Sequence, residues 1–87
     1  MKHGGYEMLK DAIALDDHRV AVTFEDGTKG VFDCKPYFGM GYYKPLKDPA
    51  VFNGLRLQDG IMTWNDGEID IAPEAVYAQS YPYEKVA

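Results

Sequence analysis

The chain has 87 residues, 46% of them hydrophobic and 26% charged, with nine Lys and Arg against fourteen Asp and Glu for a net charge of −5. That length gives one domain with a thin core, burying roughly 60–65% of the surface the unfolded chain exposes, and it excludes a large multi-domain enzyme. The apolar content excludes intrinsic disorder, no apolar run is long enough for a transmembrane helix, and an acidic chain with scattered bases disfavours direct nucleic-acid binding.

The one cysteine, Cys34, has no internal disulfide partner, and Met1 to Glu7 carry no apolar signal region. A cytoplasmic chain is the expectation. Residues 1–7 read as a flexible leader, 8–80 as a single domain and 81–87 as an irregular tail.

Three Asp-Gly pairs, Asp26-Gly27, Asp59-Gly60 and Asp66-Gly67, sit between apolar alternations and mark hairpin turns. In the first predicted strand, Leu9, Asp11, Ile13 and Leu15 form one alternating face. Asp16-Asp17-His18 turns the chain into a second strand with Val20, Val22 and Phe24 on its apolar side. Asp26-Gly27 leads to a third strand, Thr28 to Cys34.

From Pro36 to Leu46 neither a helical nor a strand period holds. The segment is too apolar for a solvated loop and predicts a helical turn that lays aromatic rings on the sheet. Asp48 as N-cap and Pro49 at the first helical position predict a short helix that Gly54 ends. A second meander follows, with Leu55 and Leu57 on one side of a strand, a short strand Ile61 to Asn65, and alternation from Glu68 to Ile71. Pro73 opens a final helix, Glu74 to Ser80. The expected fold is α+β, with two small antiparallel β-meanders of about six strands in all, a short helical connection and a C-terminal helix. One curled sheet and two packed meanders both satisfy this pattern.

The order of Val20-Ala21-Val22-Thr23-Phe24-Glu25-Asp26-Gly27, Leu46-Lys47-Asp48-Pro49-Ala50-Val51-Phe52 and Trp64-Asn65-Asp66-Gly67-Glu68-Ile69-Asp70-Ile71-Ala72-Pro73-Glu74-Ala75-Val76-Tyr77 resembles the bacterial family called domain of unknown function 2442, over roughly residues 8 to 78. The resemblance implies a small α+β fold and no enzymatic activity or catalytic residues. Some members of that family carry a C-terminal helix-turn-helix. Others are similar to one half of a two-gene, toxin–antitoxin-like pair. The chain stops at Ala87 with no such DNA-binding half, so no transcription-factor role is expected.

Reactive groups are few. Cys34 and His18 have no spacing that makes a nucleophile and base, and Cys34 reads as a small core hydrophobe. His3 and His18 lack further ligands at metal-binding spacing, so no metal and no cofactor is expected. Asp66, Glu68 and Asp70 alternate, but Asp66 belongs to its Asp-Gly turn, and Glu68 and Asp70 read as the wet side of a strand. Gly39-Met40-Gly41 lacks the context of a phosphate loop.

The aromatic residues say more: one Trp, seven Tyr and four Phe. Tyr37, Phe38, Tyr42 and Tyr43 crowd into the irregular connection, and Trp64 lies on a short strand. A small domain fills volume with such rings, yet a thin one has trouble burying all of them. Tyr37, Tyr42, Tyr43 and Trp64 are therefore the candidates for a partner-facing surface. The leading expectation is a non-enzymatic protein-binding module, the antitoxin-like member of a pair, with a basic protein partner encoded by a neighbouring gene. Two alternatives stand beside it. One is a small ligand-binding or hydrolytic domain using Asp66, Glu68, Asp70 and Trp64 around a pocket. The other is homodimer or higher homo-oligomer formation through an open strand edge.

Overall fold

A computed structural model of the chain describes residues 8–82; the expected leader and residues 83–87 of the expected tail lie outside it. Strands β1 (Leu9–Ala14), β2 (Arg19–Phe24) and β3 (Lys29–Asp33) form an antiparallel meander. Strands β4 (Arg56–Gln58), β5 (Ile61–Trp64) and β6 (Ile69–Ile71) form a second one. They belong to two separate sheets rather than one curled sheet. Tyr81 and Pro82, the first described residues of the expected tail, pair with Val31 and Gly30 as a two-residue strand, β7, at the edge of the first sheet. Proline suits that place because an edge strand can spare an N–H.

Between the sheets run two 3₁₀ segments, Lys35–Gly39 and Gly41–Lys47, then helix α1 (Pro49–Phe52). Asp48 caps α1 as expected, its carboxylate accepting from the Ala50 N–H at 3.0 Å. Helix α2 (Pro73–Gln79) follows β6, and the Ser80 hydroxyl donates to the Val76 carbonyl at 2.7 Å at its end.

The core draws on every part. Leu9, Val20, Val22, Phe24, Phe32 and Cys34 come from the first sheet and its exit, Met62, Trp64, Ile69 and Ile71 from the second, Leu46 and Phe52 from the connection, and Val76 from α2. The expected apolar faces of β2 and β6 are the buried ones.

Strand β1 departs from its expected face. Leu9 is buried, but Ile13 is 55% exposed, while Ala12 and Ala14 pack against the core. The register explains the change: Leu9 pairs with Phe24 and Asp11 with Thr23, so Lys10 is an extra residue in the ladder. A bulge of one residue reverses the side on which all later residues fall.

The three Asp-Gly turns differ in geometry. Gln58 pairs with Ile61, and Asp59 (φ 53°) and Gly60 (φ 81°) make the two-residue left-handed turn that the dipeptide predicts. In the Glu25-Asp26-Gly27 loop only Gly27 is left-handed, and the Asp26 carboxylate accepts from the Thr28 N–H at 2.9 Å. In the third, Asn65, Asp66 and Gly67 are all left-handed, and the Glu68 N–H closes onto the Asn65 carbonyl at 3.1 Å.

A tyrosine ledge as candidate functional site

The 3₁₀ segments bring Tyr37, Tyr42 and Tyr43 together although neither strand nor helix periodicity would align them. Tyr37 packs on Phe32 of β3 with ring centroids 5.7 Å apart. Tyr43 meets Tyr37 edge to face at 5.0 Å and 78°, and Tyr42 meets Tyr43 at 4.8 Å and 85°. The rings thus step outward from half-buried Tyr37 and Tyr43 to Tyr42, which is 53% exposed. Such edge-to-face pairs stabilise by about 0.5–1.5 kcal/mol beyond the area they bury.

Hydrogen bonds hold the rings to other elements. The Tyr37 hydroxyl donates to Gln79 Oε1 of α2 at 3.2 Å, and the Tyr42 hydroxyl donates to the Glu68 carbonyl, just before β6, at 2.6 Å. The Tyr43 phenol is pushed above its ordinary value, first by burial, then by Tyr37, Tyr42 and Asp70 around it. Met40, between the 3₁₀ segments, is 50% exposed beside this group in the chain. In the sequence its glycine neighbours set it apart from every apolar pattern. An apolar side chain so isolated has no sheet or helix face to join, which is the signal of an exposed position.

Trp64 must be removed from the candidate surface. It is fully buried, its indole stacks on Phe52 at 6.2 Å and 23°, and its Nε1–H donates to the Phe52 carbonyl at 3.0 Å. An indole buried with its N–H satisfied is a core group. Buried Trp64 lines neither of two depressions among the described residues. One depression, of about 310 Å³, is open and lined by Ala50, Val51, Gly54, Arg56, Asn65 and Asp66. Glu68 and Asp70 are exposed outside its lining.

The remaining reactive groups are built into the frame. Cys34 is fully buried, and burial pushes its thiol up to about 12, which removes the thiolate a nucleophile needs. His18 wedges between Phe38 and Phe52, edge to face at 5.0 and 5.1 Å, and its Nε2–H donates to the Lys47 carbonyl at 3.1 Å. Lys35 ties the β1–β2 turn to the end of β3, donating to the Asp17 carbonyl at 2.8 Å and pairing with the Asp17 and Asp33 carboxylates at 3.1 Å each. Among the described residues no three His, Cys, Asp or Glu side chains gather to hold a metal ion, and no helix is long and apolar enough to cross a membrane.

No curated protein and no solved structure matches the chain. A family model does match, over residues 9–82, which takes in both sheets, the tyrosine connection and both helices. The chain therefore belongs to the family described as "Protein of unknown function (DUF2442)".

Proposed function

We propose that this chain is a non-enzymatic protein-binding module, the antitoxin-like member of a two-protein pair, whose partner docks on the ledge of Met40, Tyr42 and Tyr43. The observation that carries the reading is Tyr42, half exposed and yet pinned through its hydroxyl to the Glu68 carbonyl. A ring already held in place loses little entropy on being covered, and tyrosine is among the residues that dominate interface energetics. The net charge of −5 favours a basic partner, whose encounter rate falls as salt rises.

The test is calorimetric titration of the chain with the product of its neighbouring gene. Met40→Ser with Tyr42→Ser should weaken the complex by roughly thirtyfold, the scale of a hot-spot loss, while leaving the melting transition in place. An absent complex, or one indifferent to both substitutions, ends this reading.

A further inference from the structure

The tyrosine ledge has a corner, and that corner is tied to the strand that carries an exposed carboxylate. Tyr42 and Tyr43 stand perpendicular at 4.8 Å, with Tyr37 bracing Tyr43 from behind at 5.0 Å. The hydroxyls of Tyr37 and Tyr42 are both occupied, so these rings are set before anything binds. Asp70 lies two residues beyond the Glu68 carbonyl that holds Tyr42, on the exposed side of β6, opposite buried Ile69 and Ile71. It lies in one cross-strand row of the second sheet with buried Thr63 and with Arg56, two strands away. The Asp70 carboxylate is exposed and forms no ion pair among the described residues, while its field reaches the Tyr43 phenol.

We infer that the corner between Tyr42 and Tyr43 seats an arginine side chain of the partner, with Asp70 as its counter-charge. This rests on the protein-binding reading above and adds the chemistry of the partner. Aromatic faces attract cations within about 6 Å of the ring centroid. A guanidinium is planar, stacks on a ring and still directs N–H groups sideways at a carboxylate, whereas an ammonium is a strongly hydrated point charge. A neutral side chain would draw no charge attraction from the Asp70 carboxylate.

The test uses the full chain and three capped Gly/Ser peptides of one length, carrying three arginines, three lysines or three citrullines. Citrulline keeps the planar shape and loses the charge. The arginine peptide should shift the NMR signals of Tyr42, Tyr43 and Asp70, the lysine peptide should bind at least threefold more weakly, and the citrulline peptide at least tenfold more weakly. Asp70→Asn and Tyr42→Leu should each cost the arginine peptide about tenfold while a cooperative thermal melt is retained. If Tyr42→Leu unfolds, Asp70→Asn and the citrulline peptide decide. Equal binding of arginine and citrulline, shifts mapping elsewhere, or full affinity in Asp70→Asn overturns the inference. Should the neighbouring gene product bind wild type and Asp70→Asn alike, the arginine seat falls and the protein-binding reading survives. Failure of that product and of all three peptides removes both.

Discussion

Single residues here show how burial turns a reactive group into a structural one. The Cys34 thiol rises from 9.0 to about 12 chiefly because the thiolate would be stranded in the core. Between those values the unfolded chain has lost the proton and the folded chain keeps it, so unfolding releases a proton and stability falls as pH rises, by up to about 1.4 kcal/mol per pH unit. The contribution is complete below about 9 and gone above about 12. Tyr43, also raised by burial, adds to the same alkaline slope. Urea denaturation at a series of alkaline pH values should show the slope, and Cys34→Ala should flatten its first part while lowering stability throughout. Asp17 behaves oppositely. Its hydrogen bond and charge contact with Lys35 hold its carboxyl below the ordinary range, so its contribution is present at neutral pH and lost as pH falls through that lowered value. Lys35→Met should return the Asp17 carboxyl to the ordinary range in an NMR titration, with little change in stability near pH 7 because both groups are solvent-screened.

Among elements, β1 gives the sharpest contrast between pattern and packing. Read by alternation, Leu9 and Ile13 are equivalent; the extra residue Lys10 separates them, leaving Leu9 buried and Ile13 in water. Leu9→Ala should therefore cost about 2–5 kcal/mol as a core truncation, and Ile13→Thr should stay within about 0.5 kcal/mol as a surface change. Chemical denaturation of both variants checks this, and equal costs would restore the alternating face. Helix α1 was legible for the opposite reason: Asp48 and Pro49 act on backbone groups within their own turn, so nothing distant intervenes.

At the scale of the whole molecule, the join between the sheets depends on a hairpin tip. The Leu9 N–H donates to the Gly60 carbonyl at 2.9 Å, which brings the β4–β5 turn onto the start of β1. Gly60 has φ 81°, and a Cβ there would lie 2.8 Å from the flexible Met8 Cε and 3.1 Å from the Met8 Cβ, which the backbone holds in place. Gly60→Ala should destabilise by more than about 1 kcal/mol, since the left-handed backbone and the contact both oppose it. Gly27→Ala, with φ 92° but open space around it, should cost less. Thermal melts of the pair separate the backbone cost, which both bear, from the junction cost, which Gly60 alone bears.

The amino-acid order by itself determined the meanders, their turns, the capped helix and the apolar faces of β2 and β6. Those features arise from groups a few residues apart, where φ preferences, caps and the two-residue period act locally. Tertiary structure alone decided that Trp64 belongs inside and Tyr42 outside, that β1 reverses its face, and that residues 81–82 close the first sheet. Each of those outcomes depends on a distant partner: Phe52 for Trp64, Glu68 for Tyr42, Phe24 and Thr23 for β1, and β3 for β7. An aromatic side chain has similar affinity for a core and for an interface, so only the volume left by the other elements could assign it.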